Sequence, residues 1–249
     1  SDGVAAAITG SKAMTGTPVN DAPTATNLSA AETYIEDTPR NLINIVVSDV
    51  DGGNVTATLT LSDIAAGSLN TGTSGAVTST YNAGTGVWSA SGAIADVNTL
   101  LAALTFTPAT LYNSNFTIAT SVSDGVAAAI TGSKAMTGTA VDYPPTATNL
   151  SAAETYTEDT ALNLVDIVVS DVDSANVTAT LTLSDIAAGS LNTGTSGAVT
   201  STYNAGTGVW SASGAIADVN TLLAGLTFTP AANFNSNFTI ATSVSDGVA

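Results

Sequence analysis

Residues 121–125 read S-V-S-D-G, 141–145 read V-D-Y-P-P, 157–160 read T-E-D-T and 170–173 read S-D-V-D. Six carboxylates, Asp124, Asp142, Glu158, Asp159, Asp171 and Asp173, are spread over these four polar patches. The residues between the patches carry strand-like patterns, which puts each patch at a turn. If those turns share one pole of a domain, the carboxylates converge. Two unit charges about 5 Å apart, at an effective dielectric near 20, repel by roughly 3 kcal/mol. Several such pairs require a cation, and oxygen donors without His or Cys point to Ca2+. The D-x-D spacing at Asp171 and Asp173, repeated at Asp49 and Asp51, puts both side chains on one face of an extended strand end. The reading is that calcium stiffens the join between two tandem domains. The alternative is a set of ordinary solvated turns, where Asp is common.

Outward from this join the chain is one unit read nearly twice. Residues 1–17 recur unchanged at 123–139, an offset of 122. Aligned at that offset, residues 1–127 and 123–249 differ at 15 positions. Five of these, at 35, 39, 40, 43 and 44, lie together, and four more, at 18 and 20–22, lie in the linker. A period of 122 is too long for a solenoid turn and suits a self-contained domain.

Period-2 alternation predicts strands. Val55, Ala57, Leu59 and Leu61 alternate with threonines; Ile43, Ile45 and Val47 give a second strand, Phe116, Ile118, Thr120 and Val122 a third, and 126–137 a last one. N-A-G-T-G at 82–86 reads as a hairpin turn, with Trp88 after it as a core anchor. One helical signal stands out at 94–104, where Ile94, Val97, Leu100, Leu101 and Leu104 share a face and Asp96 is a candidate N-cap. About seven short strands per repeat, rich in Thr and Val, predict an all-β sandwich with one short helix at an end.

Composition narrows the function. The 249 residues include 20 acidic and 3 basic ones, a net charge of −17, which argues against nucleic acid and anionic membranes as partners. Without Cys or His there is no disulfide and no Cys- or His-based catalysis. No apolar run approaches the ~18 residues of a membrane span. A hydrolase needs only two acids, but the candidate acids lie at linkers between near-identical copies, so no enzyme is expected. Asp63, Asp96, Asp185 and Asp218 read as structural turn or cap residues. Lys12 and Lys134, the two lysines, read as exposed edge-strand residues. The less favoured reading is a Lys–Asn crosslink helped by Glu32 or Glu154.

V-N-D-A-P at 19–23, E-D-T at 36–38, S-D-V-D at 48–51, N-T-L-L-A-A-L-T-F-T-P at 98–108 and S-V-S-D-G at 121–125 occur in that order. On these stretches the chain, over its whole length, resembles the cadherin-like tandem repeats of giant bacterial surface proteins and RTX-type adhesins. The resemblance implies tandem Greek-key sandwiches, Ca2+ at domain junctions, export by a bacterium to the cell surface, and service as an extender or adhesive array. It also implies a ligand set. The first junction would use Asp2, Asn20, Asp21, Glu36, Asp37, Asp49 and Asp51. The second would use Asp124, Asp142, Glu158, Asp159, Asp171 and Asp173. The second linker departs from the pattern, with Asp142 where Asn20 stands and Tyr143 in place of Asp21.

Three functions follow in order of preference: a structural spacer, an adhesion module for a receptor, glycan or like repeat, and a self-assembling filament subunit. The expected frame is 18–139 for the first repeat and 140–249 for the second, with 1–17 as the last strand of a preceding copy. In that frame the second repeat lacks the counterpart of A-A-I-T-G-S-K-A-M-T-G-T, residues 128–139. Either the chain is a window on a longer array, or residues 1–17 of one chain complete the next, head to tail.

Overall fold

A computed structural model describes residue 3, residues 5–6 and residues 8–248. The chain divides into two compact units, Ser1–Val141 and Asp142–Ala249. Each is an all-β sandwich carrying one α-helix. No helix among the described residues is long and apolar enough to cross a membrane.

The strands of the first unit are β1 (Thr24–Thr26), β2 (Glu32–Ile35), β3 (Arg40–Asn41), β4 (Val46–Ser48), β5 (Asn54–Leu61), β6 (Gly67–Leu69), β7 (Thr73–Ser74), β8 (Val77–Thr78), β9 (Thr80–Asn82), β10 (Val87–Ala93), β11 (Thr105–Pro108), β12 (Phe116–Ser123) and β13 (Ile130–Thr139), with α1 (Ile94–Ala102) between β10 and β11. The main sheet runs β2-β13-β12-β5-β10-β9 and the smaller one β3-β11-β6. Alternation sets the layers: Val55, Ala57, Leu59 and Leu61 of β5 are buried while its threonines face outward. Trp88 is buried, with its indole N–H donating to the Asn70 carbonyl at 3.0 Å. Tyr34, Phe106 and Phe116 form an edge-packed aromatic cluster in the same core.

Several local expectations shift. In the 43–47 segment Ile45 and Val47 are buried but Ile43 is exposed, and the strand is confined to Val46–Ser48. Helix α1 begins after Ala93, which has no side-chain cap; Asp96 sits in the first turn and accepts from the Ser74 hydroxyl at 2.9 Å. Asp63 caps a 3-10 turn at Ile64–Ala66 by accepting from the Ala65 N–H. The last strand starts at Ile130, not 126, because Asp124 accepts the N–H groups of Val126 and Ala127 and holds a turn there.

The largest correction concerns Lys134. It is not on an edge. β13 lies between β12, antiparallel, and β2, parallel. The Lys134 ammonium, 0% exposed, donates to Glu32 Oε1 and to the Ile43 carbonyl, each at 3.1 Å, and the Glu32 side chain is equally sealed. Arg40 reaches the other Glu32 oxygen at 3.5 Å. Two glycines let β13 approach its neighbours. A Cβ on Gly132 would meet Leu28 Cβ at 2.7 Å, and one on Gly138 would meet the Asn113 carbonyl oxygen at 2.2 Å.

The second unit repeats this plan with β14 (Thr146–Thr148), β15 (Leu162–Asn163), β16 (Val168–Ser170), β17 (Asn176–Leu183), β18 (Gly189–Leu191), β19 (Thr195–Ser196), β20 (Val199–Thr200), β21 (Thr202–Asn204), β22 (Val209–Ala215), α2 (Ile216–Ala224), β23 (Thr227–Pro230) and β24 (Ile240–Ser245). Its main sheet runs β21-β22-β17-β24. Residues 154–157, counterparts of β2, form no strand.

Removing one partner of a sealed ion pair strands the other charge, at a cost of about 3–5 kcal/mol. Lys134→Ala is therefore expected to lower the first unit's melting temperature sharply. Lys134→Met combined with Glu32→Leu should recover most of that loss, because no charge is left buried. Calorimetry of both variants checks this; equal destabilisation by the single and double changes would mean that packing, not charge, dominates.

Candidate functional site

The carboxylates fall into two groups within each unit. In the first unit, Asn20, Asp21, Asp49, Asp51 and Asp124 gather at the pole where β5 starts and β12 ends. Asn20 Nδ2 donates to Asp124 Oδ2 at 2.8 Å. The Asp21 N–H donates to Asp51 Oδ2 at 2.6 Å, and the Asp51 N–H to Asp49 Oδ1 at 2.9 Å. The Asn20 amide, followed by the Val126 N–H, holds the Asp124 carboxyl below the usual carboxylate range.

Glu36 and Asp37 stand at the other pole and are separated from Asp49 and Asp51. Glu36 accepts from the Val141 N–H at 2.7 Å and from Asn113 Nδ2 at 2.8 Å; Asp37 accepts from the Leu111 N–H at 3.1 Å. Residues 111–113 precede the start of β12, whereas Asp124 follows its end, and eight strand residues span roughly 25 Å. Glu36 is buried and clasps the backbone leaving β13. Expected with Asp49 and Asp51, it is instead a structural latch. The same separation holds in the second unit, where Glu158 accepts from Asn235 Nδ2 and Asp159 from the Asn233 N–H. Asp124, expected with the second set, belongs with the first. Asp2 lies outside the described residues.

The pole of the second unit is different in kind. Asp142 occupies the position of Asn20, so a neutral donor has become a carboxylate. Its neighbour is Asp246, the counterpart of Asp124. Loss of surrounding water, and then the charges of Asp246, Asp173 and Asp171, push the Asp142 carboxyl above its ordinary range. Asp171 Oδ1 accepts from the Asp173 and Ser174 N–H groups, and the second of these does most to hold its carboxyl low. Asp173 Oδ2 accepts from the Tyr143 N–H at 2.9 Å, so the Asp21→Tyr change keeps the backbone contact. Asp171 Oδ2 and Asp246 Oδ2 are buried without any hydrogen-bond partner. A buried carboxylate oxygen with no donor is costly, and a hard cation would satisfy it. Among the described residues, no three acidic side chains are already close enough to hold one ion. These side chains offer only oxygen donors, the kind that a hard cation takes.

Asp246 was missed in the sequence although its signal was there. S-D-G occurs at 1–3, 123–125 and 245–247, so each pole takes the aspartate at its own repeat's end.

No known family description matches the chain, and no curated protein does. Among solved structures it is similar to the titin domains Z1Z2 in complex with telethonin, at 12% identity and TM-score 0.28, over 90% of this chain and 95% of that one. The C-terminal domain of the Streptococcus agalactiae AgI/II polypeptide BspA aligns at 9% identity and TM-score 0.23, over 89% and 97%. Dpr2 Ig1-Ig2 in complex with DIP-Theta aligns at 11% and 0.29, over 89% and 63%.

The two poles predict opposite mutational signs. Asp142→Asn removes one of four clustered charges and offers Asp246 the amide that Asn20 offers Asp124. In chelator it is expected to raise the second unit's melting temperature, whereas Asn20→Asp should lower the first unit's. Differential scanning calorimetry reads both; a shift of the same sign in the two units would show that the pole charges do not control stability.

Proposed function

We propose that the chain is a pair of extender repeats from a secreted, cell-surface bacterial adhesin or fibre of cadherin-like build. In this reading Ca2+ binds at the pole of the second unit and ties residues 142–145 to their sandwich. Asp142, Asp171, Asp173 and Asp246 would hold the ion. Bound calcium supplies the positive charge that their mutual repulsion lacks. The observation that carries the reading is the pair of buried, unpartnered oxygens on Asp171 and Asp246 beside the crowded Asp142. In the first unit Asp124 Oδ2, the counterpart of the Asp246 oxygen, accepts from Asn20, and Asp49, the counterpart of Asp171, has no such buried unpartnered oxygen, so that pole has less need of an ion. Near-identity of the copies over their whole length suits a spacer, whose task is reach.

Calcium titration tests this. At a hundredfold excess over Kd, binding should stabilise the second unit by about 2.7 kcal/mol. Chelation should lower its melting temperature and broaden the distance distribution from small-angle scattering. Asp171→Ala with Asp173→Ala should abolish the calcium response and leave the circular dichroism spectrum unchanged. An identical melt with calcium and with chelator would sink the proposal.

A further inference from the structure

The sealed ammonium of Lys134 has one hydrogen left over. Nζ donates to Glu32 Oε1 and to the Ile43 carbonyl, each at 3.1 Å. An ammonium carries three N–H donors, so the third finds no acceptor among the described residues. Asn44 is the residue that follows this carbonyl. Its side-chain oxygen Oδ1 is buried and finds no donor among the described residues. An amine and a carboxamide therefore stand one peptide unit apart, each with hydrogen-bonding capacity unspent. Buried polar atoms left in this state point to a chemical role.

The surrounding contacts hold these groups in place. Glu32 Oε1 also accepts the Ile43 N–H at 2.8 Å, so both backbone groups of Ile43 are tied to the Lys134–Glu32 pair. The Asn44 carbonyl accepts from Asn27 Nδ2 at 2.8 Å, which fixes the backbone beyond the Asn44 side chain. β13 is paired with β12 on both sides of Lys134, from Ile130 to Met136. The Lys134 and Glu32 side chains are both 0% exposed. Amine, carboxyl group and carboxamide thus come from β13, from β2 and from the segment between β3 and β4.

We propose that Lys134 and Asn44 join through an amide bond between their side chains, with Glu32 as the catalytic residue. Glu32 takes a proton from the ammonium along their hydrogen bond, which removes two buried charges. The freed lone pair of Nζ attacks Asn44 Cγ, and the carbonyl electron pair moves onto Oδ1. Glu32 gives its proton to Nδ2, the Cγ–Nδ2 bond breaks, and ammonia leaves as the C=O re-forms. The surplus proton on the new amide nitrogen passes through Glu32 to the ammonia, which departs as ammonium. One ammonium and one carboxamide are consumed, one amide and one ammonium ion are formed, and Glu32 ends as it began. Holding the reactants in one site replaces a chance encounter, and the seal excludes the water that would compete. The bond ties β13 to the segment before β4 and encloses residues 45–133 in a covalent loop. A pull on the ends of the unit cannot extend those residues, with or without calcium.

The test is mass spectrometry of the 249-residue protein, purified folded and then denatured. Its mass should fall below that of the sequence by one ammonia. Trypsin adds a second readout, because the basic residues are only Lys12, Arg40 and Lys134. An acylated lysine is not cut, so the denatured protein should leave residues 41–249 as one fragment. Without the bond that fragment divides after Lys134. Asn44→Ala should restore both the full mass and the cut, and it should still fold, because Asn44 is only half-buried and its Oδ1 has no partner to lose. Glu32→Gln should do the same, with circular dichroism reporting that the sandwich is kept. Lys134→Ala and Lys134→Met with Glu32→Leu both lack the bond, so comparing them still reads the buried charge. The full sequence mass together with a cut after Lys134 would overturn the proposal. So would loss of one ammonia with Lys134 still cut, which marks an asparagine closing on its own backbone, or a bond that forms unchanged in Glu32→Gln.

Discussion

A lysine sealed from water needs its ammonium met by acceptors, because an unmet buried charge is among the costliest features a fold can carry. In the first unit Glu32 and the Ile43 carbonyl meet Lys134, and this fixes much else. It sets the parallel pairing of β13 with β2. It also sets the register, since a one-residue slip would withdraw the lysine and turn Met136 to solvent. Gly132 and Gly138 enforce the same register sterically from both ends. With β13 fixed, the backbone leaves it where Glu36 can clasp the Val141 N–H, so the ion pair also governs where the chain exits the unit.

The second unit shows that burial belongs to the neighbour and not to the residue. Tyr34 and Phe116 are core residues, while Tyr156 and Phe238, identical in type, are only half-buried. The aromatic cluster itself persists: Tyr156 packs edge-on against Phe228 and Phe238 much as Tyr34 does against Phe106 and Phe116. Glu154 likewise keeps its backbone contact to Val165.

What the sequence disclosed follows from what is local. The alternation in 55–61 and 116–122, the apolar helix face at 94–104 and the core role of Trp88 are set by neighbours within a few residues, and all stand in the structure. The misreadings needed tertiary knowledge. Lys134 looks like a solvated edge residue because nothing near it in sequence announces Glu32, 102 residues away. Glu36 looks like a partner of Asp49 because both are acidic turn residues, yet a full strand length separates their poles. The exposure of Ile43 escapes alternation because its segment is paired only over Val46–Ser48.

The positions at which the two repeats differ carry the last step. Their strand cores are nearly letter-identical, so packing imposes the same solution twice. The differences collect instead at the linker pole and on the wall facing the last strand. At the pole, Asn20 to Asp142 and Asp21 to Tyr143 leave the net charge unchanged but move a carboxylate from a site where a backbone contact suffices to one beside Asp246. On the wall, Leu162 stands for Arg40 and so removes the cation that in the first unit reaches Glu32. In each case the fold is kept and the local charge is altered. Two nearly equal sandwiches therefore differ in how their acids are met: in the first, Glu32 faces Lys134 and Arg40 and Asp124 faces Asn20, whereas in the second Glu154 is exposed and Asp142 lies beside Asp246.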